Sequence, residues 1–243
     1  YPFLMLGLLR LKERPGWGAA LLTGLAFGWQ AATGGYQAVS AAVLLAVGLA
    51  WIGRALRARR TLLWTLGACL LGGLIVLPWA WTFASLQVEA GLVRDIGQSR
   101  DAALSLRSSF ASPSYLWQPL FGDDVDTAFP GLIVTLLGAV GFFTARGRDA
   151  WFLRIVGLTF FLLAMGPDLS LGGWRVPLPF GLAWQWLPPL RAARHPLTFV
   201  IPGLMALTFL AMLALRRWRW SRHPVALTFV GVALFAETLT PWV

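Results

Sequence analysis

The sequence predicts an all-α membrane protein: a polytopic bundle of about seven transmembrane helices with a partial one ahead of them. Hydrophobic residues fill 58% of the 243 positions and charged residues only 12%, with a mean hydropathy of +0.69, outside the range of ordinary soluble domains. The apolar residues come in runs of the length that crosses a bilayer. The 20 basic residues stand in short clusters between those runs, which is how membrane topology is encoded. The formal charge of +10 therefore argues for an oriented membrane protein and against a nucleic-acid partner. The single cysteine, Cys69, lies within an apolar run and leaves no disulfide framework or zinc site to build.

Residues 1–9 are apolar but too short to span, so they read as the end of a helix and the chain as a fragment of a longer one. Arg10, Lys12, Glu13 and Arg14 follow as a charged loop. No charge occurs over 16–53, too long for one helix, and Thr33-Gly34-Gly35 divides the run into a helical hairpin. Gly24 and Gly28 form a G-x-x-x-G pair in its first arm, the spacing that lets a second helix come close. Arg54, Arg57, Arg59 and Arg60 close the hairpin. Residues 61–86 form the next span, with Pro78, Trp79, Trp81 and Phe83 at its far end as an interfacial belt.

Segment 87–128 is a long polar loop, whose first half suits a short amphipathic helix lying on the membrane. Residues 129–145 and 151–165 are two further spans joined by a turn with Arg146, Arg148 and Asp149; Arg154, one turn inside the second, can snorkel back to that turn. A second polar segment, 167–196, is rich in Pro, Gly and Trp, and Trp174, Phe180, Trp184 and Trp186 are expected at headgroup level. Residues 196–215 and 224–239 are the last two spans, separated by Arg216, Arg217, Arg219 and Arg222. The whole of 1–243 reads as one transmembrane domain.

Alternating the loops places 14 of the 20 basic residues and two of the ten acids on one side, a net +12; the opposite side keeps six basic and eight acidic residues, a net −2. The first side is cytoplasmic. Loops 87–128 and 167–196 are then extracytoplasmic, where topology gives cations no reason to gather. Segment 187–196, Leu-Pro-Pro-Leu-Arg-Ala-Ala-Arg-His-Pro, is therefore the leading candidate site. Its prolines restrict the backbone, and Arg191 and Arg194, aided by His195, can each offer donors to a phosphate. The alternative is a cationic anchor beside lipid headgroups.

Four short motifs carry a resemblance: Gly34-Gly35-Tyr36-Gln37 at an outer hairpin tip, Phe129-Pro130-Gly131-Leu132 opening a span, Met165-Gly166-Pro167 closing one, and the 187–196 segment. In that order they resemble the GT-C glycosyltransferase superfamily, including YfhO-like bacterial multi-spanning proteins. Members often show G-H-P-Q at the tip; here Tyr36 replaces the histidine and the proline is missing. The resemblance implies a bacterial inner-membrane glycosyltransferase of the cell envelope, or its C-terminal transmembrane half, using a polyprenyl-phosphate-linked sugar on the extracytoplasmic face. It implies substrate binding by Arg191, Arg194, His195, Tyr36 and Gln37, and a catalytic acid in an outer loop ahead of Tyr1.

Asp123, Asp124 and Asp126 could together hold a divalent cation, since hard cations favour several carboxylate oxygens, although a solvated acidic turn has the same composition. Asp168 and Glu237 are further acidic candidates, and Glu237, at the end of an apolar run, is costly unless paired. The alternative functions are a transporter or flippase-like protein and a non-catalytic membrane protein of envelope assembly. Against transport stands the near absence of charge in mid-span.

Overall fold

The computed structural model describes residues 1–89, 96–104, 130–171, 174–186, 195–217 and 224–237. They belong to two compact units, Tyr1–Gln98 with Ala183–Arg194, and Ser99–Leu182 with His195–Val243. The first contains α1 (Pro2–Glu13), α2 (Trp17–Ala32), α3 (Gly35–Ile52), a 3-10 turn at Ala55–Arg57 and α4 (Arg59–Glu89). Helix α1 runs through Arg10, Lys12 and Glu13, where the sequence reading places a loop. All three are good helix formers, and the chain leaves the helix just before Pro15, as the residue preceding a proline favours extended backbone. The Lys12 ammonium lies 4.1 Å from the centre of the Trp51 ring on α3, a cation–π contact that holds the end of α1.

The hairpin break falls where the glycines put it, with α2 capped at Thr33 and α3 starting at Gly35. Helix α2 packs most extensively on α4, and the G-x-x-x-G pair makes that approach possible. A Cβ at Gly24 would lie 2.7 Å from the Ala68 carbonyl oxygen, and one at Gly28 would lie 2.8 Å from Ile75 Cβ. From the other side, Gly72 of α4 leaves room for Phe27. Where lipid tails are as apolar as the side chains, close backbone approach of this kind drives helix association.

The second unit opens in the last turn of α5 (Ile96–Asp101) and continues with α6 (Leu132–Thr144), α7 (Arg148–Ala164) and a two-stranded hairpin. Its strands are β1 (Asp168–Leu171) and β2 (Trp174–Pro177), antiparallel with Asp168 opposite Pro177 and Ser170 opposite Arg175. Then come α8 (Pro179–Trp186), which belongs to this unit as far as Leu182, a 3-10 turn at Pro196–Phe199, α9 (Val200–Arg217) and α10 (Pro224–Glu237). Helix α9 is the centre of this unit, packed on both α6 and α7. Gly138 and Gly141 of α6 lie against Leu207 and Leu210 of α9. On α7, Phe152, Val156 and Phe160 are buried at four-residue spacing, a helical period that forms one face. Arg154 does snorkel: its guanidinium donates to the Ala145 carbonyl at 2.6 Å and lies 5.0 Å from the Trp151 ring.

Among the described residues three helical segments, Gly35–Ile52, Arg59–Thr82 and Pro196–Arg217, are long and apolar enough to cross a membrane. Seven were expected. Of the shorter apolar helices, α6 has 13 residues, about 20 Å of rise, against a hydrocarbon core of about 30 Å. Gly131 and Gly147, with φ of +98° and +108°, set the starts of α6 and α7. The polar segment after α7 also differs from expectation. It contains the β-hairpin, and Phe180 is fully buried against Phe199, ring centres 6.0 Å apart. Trp174 and Trp186 are exposed and Trp184 is half-buried.

The α2–α4 contact gives a direct test. Gly28→Leu should lower the thermal midpoint in detergent, by the equivalent of about 1–3 kcal/mol or more for overpacking. Gly73→Ala, where a Cβ meets nothing within 4 Å, should leave it unchanged or raise it slightly. Equal midpoints for the two variants would mean that this interface is not close-packed.

Candidate functional site

The part of the second unit between α7 and α9 is organised by the end of α7. Met165 and Gly166 close the helix through bonds to the Phe161 and Leu163 carbonyls, and Gly166 takes φ +79°, the left-handed conformation that commonly ends helices. Its missing Cβ is needed twice, because one built there would also lie 2.5 Å from Ala103 Cβ. The segment following α5 thus comes close enough for the Leu104 N–H to donate to the Ala164 carbonyl at 2.8 Å. On the opposite side, the Leu178 N–H donates to the Pro167 carbonyl at 2.9 Å, and Gly181 leaves room for Pro167. Met165-Gly166-Pro167 is therefore the junction between α5, α7 and the hairpin.

The junction is locked by an ion pair. The Arg100 guanidinium grips Asp168 with both arms, Nε donating to the two carboxylate oxygens at 2.9 and 3.0 Å and Nη2 donating to Oδ2 at 2.5 Å. The Asp168 side chain is 13% exposed and that of Arg100 35%, so the fork is partly withdrawn from water and stronger than a surface pair. The hydrogen bonds from Arg100 hold the Asp168 carboxyl below the usual carboxylate range; burial opposes them, and the charges of Arg100 and Arg175 add to the lowering.

Of the predicted binding residues, His195 is described and stands at this junction. It precedes the 3-10 turn at Pro196–Phe199; its carbonyl accepts from the Thr198 amide at 3.1 Å and hydroxyl at 2.8 Å, and two residues on the Leu197 N–H donates to the Ala102 carbonyl at 3.4 Å. Arg191 and Arg194 lie outside the described residues, as do Asp123, Asp124 and Asp126. Tyr36 and Gln37 belong to the first unit, in the opening turn of α3, where the Gln37 side-chain oxygen sits over Gly34. His195 belongs to the second. Among the described residues no group of three His, Cys, Asp or Glu is placed to hold a metal ion.

Glu237 has its partner. The carboxylate accepts from the Leu132 N–H at 3.0 Å and from the Ile133 N–H at 3.2 Å, two amides left open by the start of α6. A buried carboxylate at the positive end of a helix is stabilised by both hydrogen bonds and dipole. Gly131 makes the seat: a Cβ there would lie 2.5 Å from Glu237 Oε2. The Pro-Gly-Leu opening of this span thus has a structural reason.

Compared with protein-family models, curated proteins and solved structures, the chain matches none.

Sequence reasoning singled out Asp168 but not Arg100, 68 residues away. The pair makes a prediction about acid. Asp168 has its folded-state pKa lowered, so its stabilising contribution is fully present above the unfolded carboxyl pKa, about 3.9, and is lost as pH falls through the lower folded value. Asp168→Asn should cost about 1–2 kcal/mol near neutral pH, kept modest by the exposure of Arg100, and should flatten stability between about pH 4 and more acid solution. Thermal unfolding across that range checks both; a variant with the wild-type acid profile would show that another carboxylate governs it.

Proposed function

We propose that the protein is a membrane-embedded glycosyltransferase of the GT-C kind, or the C-terminal transmembrane half of one, using a polyprenyl-phosphate-linked sugar on the extracytoplasmic face of the bacterial inner membrane. The observation that carries this reading is the anchoring of His195 and Leu197, at the exit of the arginine segment, on a junction stapled by Arg100 and Asp168. A loop meant only to rest among headgroups needs no such fixed end. A phosphate clamp does, because fixing the loop beforehand reduces the ordering entropy lost on binding.

In this reading an acceptor hydroxyl attacks the anomeric carbon of the sugar while a carboxylate in an outer loop takes its proton. The bond from that carbon to the phosphate oxygen breaks, and the polyprenyl phosphate leaves with the electron pair. Arg191 and Arg194 stabilise the charge that grows on the leaving phosphate, with two parallel donors per guanidinium. His195 adds a donor from the anchored end. Asp168 is not the base, since Arg100 keeps it occupied and weakly basic; Glu237 is likewise committed to α6.

Replacing Arg191 and Arg194 together with alanine in the full-length protein should weaken polyprenyl-phosphate binding and sugar transfer without affecting insertion. Arg194→Lys, which keeps the charge and loses the fork, should cost about 1–3 kcal/mol of binding, the worth of a charged hydrogen bond. Unchanged binding in the double variant would leave these arginines as headgroup anchors. The orientation has its own check: after Cys69 is replaced, cysteines at Ser112 and Ser170 should react with an impermeant thiol reagent in intact cells. Labelling only after lysis would reverse it.

A further inference from the structure

A second basic site lies in the first unit, at the opposite helix ends from the Gly34 hairpin tip. Where α1 gives way to α2 and α4 begins, Arg10, Glu13, Arg14, Trp17 and Arg60 surround an open cleft of about 710 Å³. Its floor is the first turn of α2, with Gly16, Gly18 and Ala19 lining it. That turn has Gly16 as its cap, no side-chain hydrogen bond to the open amides and no acidic residue. The amides of the first turn point along the axis with nothing intrahelical to accept them, an arrangement that attracts anions.

Three guanidinium groups, from two different helices and the turn between α1 and α2, border the same opening. Among the described residues none of the three makes a side-chain hydrogen bond or an ion pair, including with Glu13 beside them. Topology alone does not explain this convergence. An orienting charge needs only to be on the correct side of the membrane, and Arg54, Arg57 and Arg59 satisfy that without lining the cleft. The start of α6 shows how the fold treats such a terminus when it is to be closed internally: Glu237 is brought to it from 105 residues away. The start of α2 receives arginines instead.

We propose that this cleft binds a phosphate group, and that its natural source is the headgroup of an anionic phospholipid. The open amides of α2 and the forks of Arg10, Arg14 and Arg60 provide donors on several sides of one phosphate. Glu13 at the rim disfavours a second anion alongside. The helix surfaces that lead away from the cleft favour a lipid over a soluble phosphate: within about two turns, Leu21 and Leu25 on α2 and Leu63 and Leu66 on α4 are exposed, a surface suited to acyl chains. Trp17, 69% exposed, sits at the boundary, where indole rings favour the headgroup level.

The test uses the intact chain in nanodiscs of phosphatidylcholine, with or without phosphatidylglycerol, and native mass spectrometry to count retained lipid. Wild type should keep phosphatidylglycerol through delipidation. Arg60→Ala should reduce retention about tenfold, the effect of losing a charged hydrogen bond, whereas Arg57→Ala, which removes the same charge outside the cleft, should have little effect. Arg60→Lys, the gentler change for folding, should fall between. Inorganic pyrophosphate in phosphatidylcholine discs separates the sources: competition by it at low concentration would make the site one for soluble phosphate, overturning the lipid assignment. Equal losses in Arg57→Ala and Arg60→Ala, or no retained phosphatidylglycerol in wild type, would overturn the site itself.

Discussion

A helix that ends in or beside a bilayer leaves up to four amides at one end and four carbonyls at the other without intrahelical partners, and the hydrocarbon supplies none. The structure is organised by the ways in which these ends are closed. Helix α6 is treated at both: Glu237 accepts from its first amides, while Arg154 and Arg217 donate to the Ala145 and Thr144 carbonyls at its close. Negative charge at the start and positive charge at the finish both oppose the helix dipole. Those three side chains come from α10, α7 and α9, so satisfying one 13-residue helix ties the second unit together. Helix α7 ends on the left-handed Gly166, and the cavity left by its missing side chain is filled by Ala103. Closing the helix thereby docks the segment that carries Arg100.

Glycine does the same work along the helix bodies. Gly24 and Gly28 admit α4 to the surface of α2, and Gly138 and Gly141 admit α9 to that of α6. In both units close contact replaces the hydrophobic driving force that lipid removes. The result is a pair of frameworks in which charges can be held at defined places near the membrane surface. Two of those places bear on function: the Arg100–Asp168 junction that fixes His195, and the open start of α2. In the first, charge is neutralised and spent on rigidity. In the second, charge is left unpaired.

Much of this organisation was legible in the sequence where one local signal decided it. The Thr33-Gly34-Gly35 break, the close approach at Gly24 and Gly28, and the retreat of Arg154 to its turn follow from glycine sterics and the cost of burying a cation, and each needs only its neighbours within a few residues or one facing helix. The misjudged elements depend on other information. Helix α1 continues through Arg10–Glu13 because charge does not end a helix; the approach of Pro15 does. The hairpin at Asp168–Pro177 has short strands whose pairing is decided at the junction, and Phe180 is buried because Phe199 covers it, neither of which appears in local periodicity. The starts of α6 and α7 are set by Gly131 and Gly147, which the length of an uncharged run does not reveal. The Arg100–Asp168 and Leu132–Glu237 partnerships join residues 68 and 105 positions apart; the cost of leaving Glu237 alone was readable, but its partner was not. The arginines of the proposed clamp and the acidic cluster at Asp123, Asp124 and Asp126 lie outside the described residues.

The motifs behind the resemblance acquire a physical content that separates fold from chemistry. Pro130-Gly131-Leu132 is the seat for a capping carboxylate, Met165-Gly166-Pro167 is a helix stop and docking point, and Gly34-Gly35 is a hairpin corner with Gln37 folded over it. Each would serve any helical membrane protein with those turns, whatever it binds. Their order therefore bears on how the helices are terminated, and the chemistry proposed for the chain would rest on residues the turns do not require. Arg191 and Arg194, the arginines of the proposed clamp, are residues of that kind in the sequence. Arg10, Arg14 and Arg60 of the first unit are likewise in excess of what orientation needs, since a loop charge that orients the chain need not converge on one uncapped helix start.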